Sequence, residues 1–330
     1  MRIFVLLLGL LLIALPASAL PVIGVELYRS DDTFVSSMCG EMVQAAEGRA
    51  ELDVTDGKND QAIQNDLISR HVARRVDALA INPVDPTASS ILLEKAQTAG
   101  IPVVFFNCEP DAADMPESGW YYVGARAEQS GTMQGELMAA YFISNPGADL
   151  DGDGVIRCVM LTGEAFHLDA PLRTEYSLKA FKAAGFKVSL VASESANWQR
   201  GEARDIMTGW LASYDGIEAV FANNDDMALG AIDALKAAGY FSGGRTMPVV
   251  GVDATEPALE ALREGSLLGT VLNDAANQGK AVVNLSLALA RGETPNQENV
   301  GYPVSSGRYV WIPYRKVTPE SLRVPGPKLP

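Results

Sequence analysis

His167, Asp169 and Arg173 fall together just past an apolar run, in and after the stretch Gly163-Glu-Ala-Phe-His-Leu-Asp169. An imidazole, a carboxylate and a guanidinium at this spacing have two chemistries open to them. They can pass protons as acid and base, or they can form a hydrogen-bonding wall for a neutral polar ligand. No nucleophile elbow, phosphate loop, dinucleotide glycine motif or paired zinc histidines accompanies them in a suitable context, so the wall is the stronger reading. The other histidine, His71, ends a predicted helix beside Arg74 and Arg75 and reads as a solvated surface residue.

A second group of residues suggests metal chemistry. Asp149, Asp151 and Asp153 alternate and are followed by Gly154, Val155 and Ile156, as in the opening of a calcium-binding loop. Alternate carboxylates let a tight turn aim hard oxygens at one centre, and the glycine permits the turn. A solvated acidic turn is the plain alternative. Met160 stands where the loop's last carboxylate belongs, so a bidentate ligand must come from another segment.

The elements that would position these groups are short apolar runs, each ending on a polar residue. Residues 22–28 lead to Asp31 and Asp32, 78–81 to Asn82, and 103–106 to Asn107. Later, 155–162 leads to Glu164 and His167, 219–222 to Asn223 and Asn224, 249–252 to Asp253, and 267–272 to Asn273. Between them lie helical patterns at 89–99, 129–143, 173–184 and 227–238, each closed by or near a helix-stopping residue. Strands alternating with helices predict an α/β protein with parallel sheets, whose ligands sit beyond the carboxyl ends of the strands. An Asn or Asp in such a place also caps the next helix, and for any one residue capping is the simpler account. Two aromatics in odd places, Phe34 and Trp198, are not explained by capping.

Composition narrows the setting. Ile3 to Leu15 is unbroken apolar chain, followed by Pro16 and the small residues Ala17, Ser18 and Ala19, which reads as a secretory signal peptide over 1–19 cleaved near Ala19. The remainder is long enough for two domains with proper cores. A formal net charge of −15 argues against nucleic acid or an anionic membrane as partner. Three cysteines, Cys39, Cys108 and Cys158, allow at most one internal disulfide. Cys158 reads as a buried thiol, and whether Cys39 and Cys108 meet stays open. The last residues, 326–330, read as an extended tail.

Taken together, the segments Tyr28-Arg-Ser-Asp-Asp-Thr-Phe34, Ala78-Leu-Ala-Ile-Asn-Pro-Val-Asp-Pro86, Val103-Val-Phe-Phe-Asn107, Ala222-Asn-Asn-Asp225, Gly251-Val-Asp253 and Gly269-Thr-Val-Leu-Asn-Asp274 resemble the bacterial periplasmic D-galactose/D-glucose-binding proteins of the type I sugar-binding family. The resemblance covers essentially the whole mature chain. It implies two Rossmann-like lobes with parallel sheets joined by a three-segment hinge. One lobe would take residues 22–125 and 275–308, the other 126–274 and 309–325.

By resemblance, Phe34 and Trp198 would sandwich a pyranose, whose axial C–H faces are apolar. Asp32 and Asn107 from the first lobe, and His167, Asp169, Arg173, Asn224 and Asp253 from the second, would hold its hydroxyls, with Asn273 near the hinge. Calcium would be bound by Asp149, Asp151, Asp153 and Val155, with Glu218 as the distant bidentate ligand. One departure stands out, because Arg157 occupies the ninth loop position, where the family offers a Gln oxygen; either Arg157 swings away and water fills the place, or its guanidinium pairs with the acidic loop and replaces the metal. The function implied is capture of D-galactose or D-glucose by hinge closure and delivery to the membrane subunits of an ABC transporter. Docking to a chemoreceptor would be a second role, and the protein would act as a monomer. A secreted sugar-modifying enzyme using Asp32, Asp169 or Asp253 is the alternative, and a sensory domain acting only on a partner is a third.

Overall fold

Strands apolar on both faces need cover on both sides. The computed structural model describes residues 19–113 and 115–323, so nearly all of the expected leader and the tail at 326–330 lie outside the described residues. The chain opens with β1 (Val22–Leu27), α1 (Thr33–Ala46), β2 (Glu51–Asp56), α2 (Gln61–Arg74), β3 (Ala78–Ile81), α3 (Ser89–Thr98), β4 (Val103–Phe106) and β5 (Trp120–Gly124). It crosses into a second lobe of α4 (Ala127–Ser144), β6 (Val155–Thr162), α5 (Asp169–Ala183), β7 (Lys187–Ser195), α6 (Arg200–Ser213), β8 (Ala219–Ala222), α7 (Asp225–Ala237), β9 (Val249–Val250), α8 (Glu256–Glu264) and β10 (Thr270–Leu272). A return crossing gives α9 (Ala275–Ala290), the short α10 (Gln297–Val300) and β11 (Tyr309–Trp311), and a last crossing gives β12 (Arg315–Val317).

Both sheets are wound in the same order. The first runs β2-β1-β3-β4-β5-β11 with every pair parallel. The second runs β7-β6-β8-β9, continues through the bridges Val250–Gly269 and Asp253–Leu272 to β10, and ends on antiparallel β12. Side chains alternate across each sheet, so Phe106 packs with Val25, Met38 and Val282 on one face while Phe105 packs with Ile68, Leu79 and Trp120 on the other. In the second lobe, Val220 and Phe221 divide in the same way between two cores. The fold is the two-lobed α/β architecture with three crossings that the sequence implies.

Two expectations need correction. Residues 309–311 belong to the first lobe, because β11 adds to β5 and the rings of Tyr309 and Trp311 stack on each other and meet Tyr122 edge-on. The third crossing therefore follows Ile312, whose N–H still donates to Gly124 of the first sheet. His71 is buried, not solvated. It shares the inner stripe of α2 with Gln64 and Ile68, a helical spacing that the flanking arginines obscure. The ring lies against Gly24, where a Cβ would come within 2.9 Å of Nδ1. Cys39, Cys108 and Cys158 are all free thiols, and Cys158 is buried as expected.

The His71 pocket carries a testable consequence. His71 Nδ1 stands 3.2 Å from Asp53, and its Nε2 lies 2.8 Å from the Thr55 hydroxyl, which also bonds the carboxyl of Glu26. Glu26 is fully buried in β1, and burial pushes its pKa up from 4.5 to about 8. A carboxyl raised in the folded state contributes stability below its unfolded pKa and loses it as pH climbs toward the folded value. Glu26→Gln removes that dependence. The variant should therefore gain on the wild type between about pH 5.5 and pH 8, by on the order of 3 kcal/mol in urea unfolding. An unchanged difference at the two pH values would show that Glu26 is ionised throughout.

Candidate functional site

The carboxyl ends of both sheets face one cavity between the lobes. All ten residues expected at the cleft line it, joined by Tyr28. Asn82 and Asn223 also follow strands but line no part of it. Asn223 instead ties Gly163 to Thr174 inside the second lobe.

From the first lobe, Asp32 follows β1 and caps α1, one oxygen accepting from Val35 N–H at 2.9 Å and the other from the Tyr28 hydroxyl at 2.9 Å. Capping and site placement thus coincide in one residue. Phe34 enters on the first turn of the same helix. Asn107 follows β4, its carbonyl accepting from the Tyr122 hydroxyl at 2.8 Å.

The second lobe supplies the rest. Helix α5 begins at Asp169, earlier than its periodicity indicates, because Pro171 lies in the first turn, where no N–H is missed. That start sets Asp169 and Arg173 one turn apart, and Arg173 donates to Asp169 at 2.7 Å. It also donates to the Asn223 carbonyl at 2.8 Å and the Tyr314 hydroxyl at 3.1 Å, and its guanidinium lies 5.7 Å from the Trp198 ring. Burial works to lower the Arg173 pKa, but Tyr314, Asp169 and Asp253 outweigh it and hold the charge. His167 meets Trp198 edge-on at 5.2 Å, and burial lowers its pKa, favouring the neutral ring. Asn224 caps α7 and donates to the Trp198 carbonyl at 3.3 Å. Asp253 accepts from Asn273 at 3.3 Å, and Asn273 accepts from Gln278 at 2.5 Å. Burial raises the Asp253 pKa well above the ordinary carboxylate range, with Arg173 opposing and Asp225 and Asp32 adding to the rise.

In this wall His167 Nδ1 and Arg173 Nε are buried without a hydrogen-bonding partner among the described residues. Buried polar atoms in this condition call for an explanation, and a polar ligand in the cavity provides one. The backbone is also unusual here. Of the ten non-glycine residues at positive φ among the described residues, three line the cavity: Asn107, Trp198 and Asp253. Such conformations each cost on the order of 1–3 kcal/mol and concentrate where a site needs groups aimed in fixed directions.

Several residues at the cleft were not expected from sequence. Tyr28 orients Asp32, and Tyr314 braces Arg173 from beyond the last crossing. Gly163 lets the Trp198 ring lie against backbone, since a Cβ would sit 2.1 Å from the indole. A glycine directly after β6 was the available signal. Two hydrogen bonds join the lobes across the mouth of the cleft, Asn59 to Glu164 at 2.8 Å and Thr33 to Asp226 at 2.6 Å. Nothing in the sequence pairs residues so far apart.

The acidic loop lies apart from the cleft. Asp149, Asp151 and Asp153 come together, with a carboxylate oxygen of each within 4.8 Å of the others. The guanidinium of Arg157 has closed on them, 3.0 Å from Asp151 and 2.6 Å from Asp153. Glu218, expected as a metal ligand, spends one oxygen on Leu150 N–H at 2.7 Å and the other on Arg157 N–H at 2.8 Å. Val155, at the start of β6, donates its N–H to Asp153 at 2.8 Å. In this arrangement the guanidinium of Arg157 engages one carboxylate oxygen each of Asp151 and Asp153.

Comparison with known proteins agrees with this geometry. Residues 23–294 match the family described as "Periplasmic binding protein domain". The chain is 41% identical over 305 residues, 91% of its length and 90% of the relative's, to the D-galactose/methyl-galactoside binding periplasmic protein MglB of Haemophilus influenzae. It is 30% identical over 246 residues to a D-ribose/D-allose-binding protein of Pseudomonas aeruginosa, covering 74% of this chain and 72% of that one. Among solved structures, an ABC transporter solute-binding protein from Bacillus halodurans with bound myo-inositol superposes with a TM-score of 0.78 at 32% identity, covering 93% of this chain and 98% of the other.

Proposed function

The chain belongs to the periplasmic binding protein domain family, and we propose that it captures D-galactose or D-glucose in the periplasm and delivers the sugar to the membrane subunits of an ABC transporter. The observation that carries this reading is the pairing of Phe34 and Trp198, from opposite lobes, on one cavity whose remaining wall is carboxylate, amide, imidazole and guanidinium. Aromatic planes suit the apolar faces of a pyranose, and planar polar groups suit its rim because each engages two adjacent hydroxyls. The relatives' names point the same way, since galactosides, ribose, allose and myo-inositol are all neutral polyols.

Binding works here as a shift in a closure equilibrium. Sugar that touches both lobes favours the closed state, and the Asn59–Glu164 and Thr33–Asp226 bonds add to it. Asp32 is fixed by Tyr28 and by the α1 backbone, so the wall meets the ligand already oriented. That lowers the ordering cost of binding. The protein acts as a monomer and without catalysis, and docking of the closed form to a chemoreceptor is a further role. An N-terminal signal peptide cleaved near Ala19 would account for export.

Calorimetric titration tests the proposal. D-galactose or D-glucose should bind one to one with a Kd on the order of micromolar or tighter, more tightly than D-ribose, D-xylose or myo-inositol. Incubation with labelled sugar should return it unchanged. Binding of neither hexose, or appearance of a product, would refute the assignment.

A further inference from the structure

We propose that Arg157 is the resident cation of the acidic loop at 149–153, standing in place of a divalent ion. The loop gathers three carboxylates beside the buried Glu218, four negative charges with a need for neutralisation. Residues along β6 alternate between core and surface, so Ile156 and Cys158 turn inward while Arg157 turns to the loop side. Its Nη1 lies 3.0 Å from Asp151 Oδ2 and 3.9 Å from Glu218 Oε2, and its Nη2 lies 2.6 Å from Asp153 Oδ2.

The remaining oxygens have other work. Asp149 accepts from the N–H groups of Gly152 and Gly154, both at 2.9 Å. Glu218 clasps the two ends of the segment through Leu150 and Arg157. A calcium ion needs six to eight oxygens at about 2.3–2.6 Å, and it cannot share Asp151 and Asp153 with a positive group already bonded to them. Arginine stays protonated at any ordinary pH, and its planar fork matches paired carboxylates. A covalently tethered cation also cannot be removed by a chelator. The join between α4 and β6 would therefore hold regardless of the calcium concentration around the protein.

Scanning calorimetry of the purified protein in millimolar calcium chloride and in EGTA tests this directly. The wild-type Tm should be the same in both, and calcium titrated into the wild type should give no binding isotherm. The variant Arg157→Gln restores an oxygen ligand and removes the competing charge. It should melt lower than wild type in EGTA and recover by roughly 5 °C in calcium. A wild-type Tm that rises by a similar amount with calcium would overturn the proposal, as would a variant as stable as wild type in EGTA. The wild-type measurement stands even if the variant does not fold.

Discussion

Trp198→Ala is expected to weaken hexose binding by a factor of roughly a hundred to a thousand, the loss typical of a buried aromatic anchor. The reason lies in how the ring is held. It sits on a loop whose residues 197 and 198 both have positive φ, presses on the backbone of Gly163, and meets His167 on its edge. The ring also joins the core of the second lobe, with Ala203, Met207 and Met227 in the same cluster. Truncation should therefore lower the Tm as well, and the two losses must be separated. Trp198→Phe does so, because it keeps an apolar plane in the cavity and most of the packing. Titration of both variants, alongside thermal unfolding without sugar, should show affinity falling steeply for alanine and modestly for phenylalanine. Equal affinities in the alanine variant and the wild type would remove the stacking surface from the account.

Arg173→Met should cost more in stability than a surface charge would. The guanidinium is buried and bonds the Asn223 carbonyl, Asp169 and Tyr314, with Asp253 close enough to feel its charge. Removing one partner of a buried ion pair leaves the other uncompensated, a loss of about 3–5 kcal/mol. The sign of its pH dependence follows. Without the cation, Asp253 loses the charge that opposes its upward shift, so in the folded state it sheds the penalty by taking a proton in acid and pays it in full as pH rises. Urea unfolding should show a larger deficit near pH 8 than near about pH 5.5, and sugar binding should be lost at both. A deficit independent of pH would mean that Asp253 is neutral already with Arg173 in place.

Much of this was legible in the sequence because it rests on local rules. Apolar runs ending on Asn, Asp or His mark strand ends in a parallel sheet, and those ends face the cavity. Helix limits followed from period and from stop signals, with the start of α5 hidden by Pro171. What could not be read depends on contacts between distant segments. Asn59 and Glu164 are ordinary residues in their own surroundings, and only the closed arrangement of lobes makes them partners. The positive φ of Trp198 is imposed by the fold, since an indole side chain does not favour that region. His71 misled because charged sequence neighbours conceal a helical stripe that begins at Gln64. Arg157 was visible as a departure from a calcium loop that could pair with the acidic residues, and the structure adds that Asp151 and Asp153 are the two it contacts.

The central claim is that a six-membered sugar lies flat between Phe34 and Trp198 with its rim held by the polar wall. A crystal structure of the protein grown with D-galactose tests it most directly. The account predicts one pyranose in the cavity, its faces against the two rings and its hydroxyls bonded to Asp32, Asp169, Arg173 and Asp253. A sugar bound elsewhere, or in the cavity with neither face against an aromatic ring, would contradict it.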